Sequence, residues 1–163
     1  MSTDFPEVTV EYMFVDNAAM QLMMNTRQFD VILTENLFGD IITDKASVIT
    51  GSLGMLPSSS IGLKTAMFEP IHGSYPQAAG KDIANPFATI LSVAMMYDYL
   101  KLPQEAAVIR KAINWALEEN FVTKDLDNDD YFPCSKVGDF ISIYIEEKCK
   151  VNMTKSNMAF SII

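Results

Sequence analysis

The sequence predicts an α/β protein, because segments typical of buried strands alternate with segments typical of helices. Residues 9–15 are rich in Val, Tyr and Phe and are largely apolar on both faces, which is typical of a strand covered on both sides. A second buried strand is predicted at residues 30–34, and helices are predicted at residues 18–24 and 38–50. This strand–helix–strand–helix order is the pattern of an α/β layer.

The composition then changes at residues 51–62, GSLGMLPSSSIG. Three glycines, four serines and one proline in this segment predict a loop or hinge. A short strand is predicted at residues 66–68. Residues 69–86, EPIHGSYPQAAGKDIANP, are predicted to form a long irregular loop, and long structured loops inside compact domains are usually functional.

Three helices are predicted in the last part of the chain. Asn85 and Pro86 fit the cap and the first position of a helix that reaches about residue 100, and its nearly all-round apolar character predicts burial. A second helix is predicted from residue 103 to about 120. Its apolar stripe consists of Ile109, Ala112, Ile113, Ala116 and Leu117. A last helix is predicted at residues 137–147, and the tail at 148–163 is expected to be loose.

Composition excludes several classes of function. The chain has 163 residues, enough for a domain of ordinary size, and a formal net charge of −9. A nucleic-acid partner is not expected, because phosphate contacts need a basic surface. No membrane contact is expected either, because no basic cluster and no sufficiently long apolar segment occurs. The absence of a signal peptide pattern and the distant pair Cys134 and Cys149 favour a cytoplasmic protein with reduced thiols.

The segment TENLFGDIITD carries the clearest candidate for chemistry, the pair Asp40 and Asp44. Their i, i+4 spacing places both carboxylates on one face of a helix, about one turn apart. Such a pair is ordinarily a solvated face. Here an apolar run precedes it and Gly39 adjoins it, so the pair is predicted at the junction of a buried strand and a helix. A hard divalent cation such as Mg²⁺ or Mn²⁺ prefers such oxygen ligands.

A second acidic run at Asp125, Asp127 and Asp129 imitates the start of a calcium-binding loop. The position that requires glycine is occupied by Asp130, and the position that requires glutamate is occupied by Lys136. The run is therefore interpreted as a solvated acidic loop.

His72 is the only histidine, and a single histidine is more often structural than catalytic. Gly73 follows it, which would let the backbone and the ring approach a ligand closely. The chain has no phosphate-binding P-loop and no G-x-G-x-x-G motif. If a nucleotide binds, the candidate is the loop from His72 to Asn85, because it leads into a helix N-terminus.

Four segments together resemble the β-decarboxylating dehydrogenases, that is, the isocitrate/isopropylmalate dehydrogenase family. They are VDNAAM, NLFGDIITD, GSLGMLPSSS and EPIHGSYPQAAGKDIANP. The resemblance extends from about Val8 to Gly138. The form of GSLGMLPS favours the branch that acts on 3-isopropylmalate in leucine biosynthesis.

The resemblance implies an oxidative decarboxylation of a 2-hydroxy diacid. NAD⁺ would accept a hydride from C2 of the substrate, and the β-carboxylate would leave as CO₂. A bound Mg²⁺ or Mn²⁺ would polarise the C2 oxygen. By motif, Asp40 and Asp44 would bind this metal together with Asp16, which would be supplied in trans across a homodimer interface and would also meet the substrate. Without the resemblance, Asp16 is interpreted as an ordinary helix cap.

The resemblance also implies that the loop binds the adenosine half of NAD, with Asn85 at the adenine. The implied cofactor residues are His72, Gly73, Ser74, Tyr75, Pro76, Gln77, Ala78, Ala79, Gly80, Lys81, Asp82, Ile83, Ala84 and Asn85. Many NAD-dependent members have an acidic residue in place of Gln77, and NADP-dependent relatives have a Lys–Tyr pair at Gln77-Ala78. The chain departs from both patterns, and NAD is favoured.

The resemblance further implies an incomplete fold with parts of two α/β domains, because family members are about twice as long. Residues 1–52 would come from the central dimerisation domain, and residues 53–147 from the cofactor-binding domain. The missing N-terminal half would carry the substrate-binding arginines and the proton-transfer groups. The alternatives are a related enzyme acting on homoisocitrate, isocitrate or tartrate, and a non-catalytic nucleotide-binding remnant.

Overall fold

The computed structural model describes the backbone of residues 4–159 and the side chains of residues 4–148. The chain divides into two compact units, Met1–Ile49 and Thr50–Ile163. Within the described residues, the first unit contains only helical elements, whereas the second combines helices with a small sheet. None of the helices in the described part combines the length and apolar character that a bilayer crossing needs.

The first unit is built on helices α1, Val15–Met24, and α2, Asn36–Thr50. Ala18, Leu22 and Ile42 form its small buried core. The helix predicted at 38–50 is therefore confirmed. Helix α1 begins three residues before the predicted start, so the interpretation of Asp16 as its cap is wrong. Asp16 lies in the first helical turn instead, where a carboxylate interacts favourably with the helix dipole.

The strands predicted at residues 9–15 and 30–34 are wrong for the described structure. Residues 4–49 contain no strand, and apolar side chains of both segments are exposed. Tyr12 is 97% exposed and Leu33 is 80% exposed. A strand is stabilised by hydrogen bonds to a neighbouring strand. No such neighbour is present within the described part of the first unit, so strand propensity alone does not produce a strand.

The second unit contains strands β1, Pro57–Ile61, and β2, Ala66–Pro70, which pair antiparallel. The prediction that residues 51–62 form only a loop is wrong, because β1 lies within this segment. Pairing with β2 and contact with a helix outweigh the low strand propensity of its serines. The strand predicted at residues 66–68 is confirmed and extends by two residues.

Three helices complete the second unit: α3, Phe87–Tyr99, α4, Pro103–Glu118, and α5, Cys134–Ala159. Helices α3 and α4 agree with the prediction within two residues. Helix α5 begins three residues before its predicted start and continues past its predicted end at residue 147 to Ala159. The loose tail at residues 148–163 stays a prediction. The sequence after Gly138 has no glycine or proline that would end a helix. Residues 160–163 lie outside the described part.

The core of the second unit lies between these helices. Its buried members are Phe87, Ala112, Ile113, Ala116, Val122, Val137 and Ile141. The predicted α4 stripe is thus largely confirmed, although Leu117 is 38% exposed. The expectation that α3 is buried on all sides is wrong, because Val93 and Tyr99 are 37% and 42% exposed. Trp115 stacks on Tyr144 with ring centroids 4.9 Å apart and joins α4 to α5.

We expect Ile113→Ala to lower the free energy of unfolding by about 2–5 kcal/mol, because it removes a side chain that is 2% exposed and leaves a cavity. The matched control is Ile143→Ala on α5, whose side chain is 55% exposed. We expect the control to change stability by less than about 0.5 kcal/mol. Urea denaturation followed by circular dichroism measures both, and equal losses would contradict the placement of the core.

Candidate cofactor loop and acidic helix

The segment from His72 to Asn85 is largely irregular and surface-exposed, as predicted, and contains one short 3₁₀ helix at Pro76–Ala78. Tyr75 and Asp82 have left-handed backbone conformations, with φ of 42° and 55°. Such conformations are uncommon for residues other than glycine and require support from the surroundings.

Asp82 provides the first support by fixing the loop to the N-terminus of α5. Its carboxylate accepts hydrogen bonds from the Ser135 backbone N–H at 2.8 Å and the Ser135 hydroxyl at 2.6 Å. Its carbonyl oxygen accepts from the Cys134 N–H at 2.9 Å. The bonds from the Ser135 hydroxyl and backbone lower the pKa of Asp82. Asp82 is therefore the cap of a helix that begins more than fifty residues later in the chain.

Asn85 provides the second support, at the end of the loop. It is only 9% exposed, and its Oδ1 accepts from the Phe87 N–H at 2.9 Å. Through this bond the Asn85 side chain satisfies a donor of the first turn of α3, although the prediction that Asn85 occupies the cap position is wrong by one residue. Pro86 occupies the capping backbone position rather than the first helical position, a shift of one residue.

Asp125 joins this end of the loop to two other segments. Its Oδ2 accepts from Asn85 Nδ2 at 3.0 Å and from the Ser52 hydroxyl, and its Oδ1 accepts from the Thr123 hydroxyl at 2.5 Å. Partial burial raises the pKa of Asp125, but these hydrogen bonds outweigh burial and leave its pKa below the ordinary value. The carboxylate thus stays ionised and acts as a shared acceptor.

The remaining polar side chains of the loop are open to ligands. Gln77 and Lys81 are exposed, and Gln77 lies in the short 3₁₀ helix. His72 is half-buried, and its Nδ1 donates to the Gly73 carbonyl oxygen at 3.0 Å. Gly73 has no atom within 4 Å of the position of a Cβ, so space for a ligand remains beside it.

Asp40 and Asp44 both lie on α2 and are exposed. Four residues along a helix correspond to about 40° of rotation, so the two carboxylates share one face. Asp40 accepts a hydrogen bond from Asn36 Nδ2 at 3.0 Å. Asp44 uses its backbone carbonyl for Ser47 at 2.6 Å, which leaves its carboxylate uninvolved in that bond.

The third predicted metal ligand, Asp16, lies exposed on α1, and its carboxylate accepts from the Asn17 N–H at 2.7 Å. Among the residues that the structure describes, no group of three His, Cys, Asp or Glu side chains could hold a metal ion. The chain therefore presents a pair of carboxylates on α2, and their role as metal ligands, with a third ligand from a second subunit, stays a prediction.

The interpretation of residues 125–130 as a solvated loop is confirmed, since most of these residues are exposed, but two of its aspartates also accept hydrogen bonds from the rest of the chain. Asp125 belongs to the network above, and Asp127 accepts from the backbone N–H groups of Asp130 and Asp129 at 3.1 Å and 2.9 Å. Those bonds, followed by one from Asn120, lower the pKa of Asp127. Both carboxylates stabilise the fold by accepting hydrogen bonds, so the clustering of these aspartates does not require a calcium ion.

Sequence reasoning missed Ser52, Thr123 and Asp125 as residues of the candidate site. The Ser52–Gly54 turn has a local signal, because a serine hydroxyl can close a turn by accepting a hydrogen bond from the backbone N–H two residues later. The bond from Ser52 to Asp125 has no local signal, because the two residues are 73 positions apart.

The comparisons with known proteins assign the family. The isocitrate/isopropylmalate dehydrogenase family profile matches residues 1–141, most of the chain. The class of protein that the fold and this match define is therefore a dehydrogenase of this type. The chain belongs to the isocitrate/isopropylmalate dehydrogenase family.

Individual relatives agree with this assignment. The chain is 51% identical over 149 residues to a 3-isopropylmalate dehydrogenase of Bacteroides fragilis, matching 90% of this chain and 42% of that protein. It is 59% identical over 124 residues to the enzyme of that name from Moorella thermoacetica, matching 76% of this chain and 35% of that one. The chain thus spans less than half the length of these relatives.

Solved structures show the same fold. The isocitrate dehydrogenase of Methylococcus capsulatus matches with a TM-score of 0.85 and 36% identity, over 88% of this chain and 43% of that one. A β-decarboxylating dehydrogenase of Thermococcus kodakarensis, in its apo form, matches with a TM-score of 0.78 and 38% identity, over 92% and 44%. The predicted fold class, a partial α/β fold of the isopropylmalate dehydrogenase type, is confirmed.

Gly54→Ala should destabilise the second unit by about 1–3 kcal/mol, because the added Cβ would lie 2.5 Å from Asn85 Cβ. The matched control is Gly73→Ala, whose Cβ would meet no atom within 4 Å. We expect the control to stay within about 0.5 kcal/mol of the parent. Thermal denaturation of the two variants checks this, and a neutral Gly54→Ala would contradict the close approach of the turn to Asn85.

Proposed function

We propose that the chain is part of an NAD-dependent 3-isopropylmalate dehydrogenase of leucine biosynthesis. The reaction is the oxidative decarboxylation of 3-isopropylmalate to 4-methyl-2-oxopentanoate and CO₂. The supporting observation is the 51% and 59% identity to relatives with that name over most of the chain. Residues 1–52 then belong to the central domain and residues 53–147 to the cofactor-binding domain.

The acidic pair on α2 fits a divalent metal. Asp40 and Asp44 offer carboxylate oxygens on one helix face, and both are exposed to an incoming ion. Mg²⁺ and Mn²⁺ accept such hard oxygen ligands and require about six in total. When bound, the ion supplies charge stabilisation at the C2 oxygen of the substrate. Asp40 and Asp44 would hold it, and Asp16 of a second subunit would complete the protein ligands in a homodimer.

The loop of residues 72–85 fits the adenosine half of NAD. Its C-terminal part is fixed by Asp82 and Asn85, while Gln77 and Lys81, which precede them, are exposed. A preorganised loop loses less conformational entropy on binding. The Asp82 carboxylate is occupied by Ser135, so Gln77 is the better placed of these side chains to meet the ribose hydroxyls.

An alternative substrate within the family has one supporting observation. The isocitrate dehydrogenase of Methylococcus capsulatus shares the fold with a TM-score of 0.85. Sequence identity favours isopropylmalate, because the relatives named for that substrate are more similar than this isocitrate enzyme, at 51% and 59% against 36%.

The deciding experiment measures NADH production by the protein in the full length that its gene encodes. We expect turnover with 3-isopropylmalate and Mn²⁺, and a much lower kcat/KM with isocitrate. The 163-residue chain alone should produce no NADH, because it lacks the proton-transfer groups that contribute about 10²–10⁴-fold to such reactions. A preference for isocitrate, or NADH production by the 163-residue chain alone, would contradict the proposal.

We expect Asp40→Asn and Asp44→Asn each to raise the dissociation constant for Mn²⁺ by at least about tenfold, because each removes a charged oxygen ligand. The control is Asp30→Asn, which makes the same charge change at an exposed position outside α2. Electron paramagnetic resonance of free Mn²⁺ measures binding. If the Asp30 variant loses as much affinity as the α2 variants, the metal does not bind at this pair.

Gln77→Asp should increase the preference for NAD over NADP by about tenfold or more. A carboxylate at this exposed loop position would accept hydrogen bonds from the ribose hydroxyls and repel a 2′-phosphate. The measurement is the ratio of kcat/KM for the two cofactors in the full-length protein, with Gln104→Asp on α4 as the control. An unchanged ratio would show that Gln77 does not face the ribose.

A further inference from the structure

The polar side-chain atoms of Asn85 are already engaged within the protein. Oδ1 accepts from the Phe87 N–H at 2.9 Å, and Nδ2 donates to Asp125 at 3.0 Å and lies 3.9 Å from the Met55 sulfur. Turning this amide toward a ligand would break both of the stronger bonds and leave buried groups unpaired, which is costly. The Asn85 side chain therefore serves the fold and is not available to a nucleotide.

In contrast to the side chain, the main-chain donor and acceptor of Asn85 are unused within the described part of the chain. Among the residues that the structure describes, neither its N–H nor its C=O forms a hydrogen bond with another backbone group or a side chain. The adenine edge offers an acceptor nitrogen next to an amino donor. A neighbouring main-chain donor and acceptor match this arrangement.

One carboxylate holds the Asn85 side chain in place. Asp125 Oδ2 accepts from Asn85 and from Ser52, and Asp125 Oδ1 accepts from Thr123. Ser52 in turn accepts from the Gly54 N–H at 2.9 Å. These bonds form one connected network in which the donor groups converge on Asp125, directly or through Ser52. A Cβ at Gly54 would lie 2.5 Å from Asn85 Cβ, so the backbone of this turn approaches the Asn85 side chain closely.

We propose that Asp125 is a positioning residue of the cofactor site, which acts through the Asn85 side chain to direct the Asn85 main chain toward adenine. This inference rests on the proposed nucleotide-binding function of the loop. Asp125 itself contacts no cofactor in this arrangement. Its removal leaves the donors of Asn85, Ser52 and Thr123 without their shared acceptor and releases the orientation of the peptide.

The test uses the 163-residue chain and AMP as the adenosine probe, with binding followed by ¹⁵N–¹H NMR. In the parent chain, AMP should shift the Asn85 backbone amide signal. Asp125→Ala should weaken AMP binding by about tenfold, the change expected when one well-formed hydrogen bond to the ligand is misaligned. Binding of ribose 5-phosphate, which lacks adenine, should change by less than about twofold.

A conservative variant and a matched control separate positioning from general destabilisation. Asp125→Asn should restore most of the affinity, because its amide oxygen can accept from Asn85 and Ser52 while its amide nitrogen donates to the Thr123 hydroxyl oxygen. Asp127→Asn is the control, since Asp127 accepts from Asp129, Asp130 and Asn120 and makes no bond to Asn85. Its AMP affinity should equal that of the parent chain.

Several results would overturn the proposal. They are an unchanged AMP affinity in Asp125→Ala, an equal loss in Asp127→Asn, an equal loss for ribose 5-phosphate, or no AMP-induced shift at Asn85 in the parent chain. If Asp125→Ala does not fold, Ser52→Ala provides the same test with an expected loss of about threefold, and unchanged affinity there has the same meaning. AMP binding as expected, together with no oxidation of 3-isopropylmalate by the full-length protein, would contradict the proposed function and leave the role of Asp125 in place.

Discussion

The Asp125 carboxylate is the interaction that holds the end of the loop of residues 72–85. It connects three segments that are distant in sequence, namely the Ser52 turn, the loop end at Asn85 and the turn after α4. Partial burial of a charge is unfavourable by itself. Three hydrogen bonds offset that cost, and a carboxylate is suited to the position because it accepts several donors at once. A neutral apolar residue would leave all three donors unpaired.

Asp82 and Asn85 both hold the C-terminal end of the loop, and mostly exposed residues precede them. Asp82 caps α5, and the Asn85 side chain accepts a hydrogen bond from the first turn of α3, so the C-terminal end of the loop is attached to two helices of one compact unit. Most of the residues before this end, from Tyr75 to Lys81, are exposed. A loop with a fixed exit and an open preceding part can adapt to a ligand locally while its exit remains in place.

The sequence predicts the helices well and the strands poorly, for a physical reason. Helix α4 follows from its apolar stripe, because helical hydrogen bonds form within the segment itself. Strands require a partner, and residues 9–15 and 30–34 have none within the described part of the first unit. At the candidate site, motif resemblance indicated the loop and the acidic pair. It could not indicate Asp125, because the role of Asp125 arises from contacts with Ser52 and Asn85 that only the folded chain creates.

Five aspartates of this acidic chain differ in how many hydrogen-bond donors their carboxylates receive. Asp125 and Asp127 each accept three hydrogen bonds from side chains or backbone, and Asp82 accepts two through its carboxylate. On α2, Asp40 accepts one, and no hydrogen bond to the Asp44 carboxylate forms within the described residues. A carboxylate saturated by donors has little capacity left for a cation, whereas an unsaturated pair of like charges is relieved by one. Donor saturation therefore marks Asp82, Asp125 and Asp127 as aspartates that maintain this fold and is compatible with the metal role proposed for Asp40 and Asp44, a distinction that residue type and spacing alone do not give.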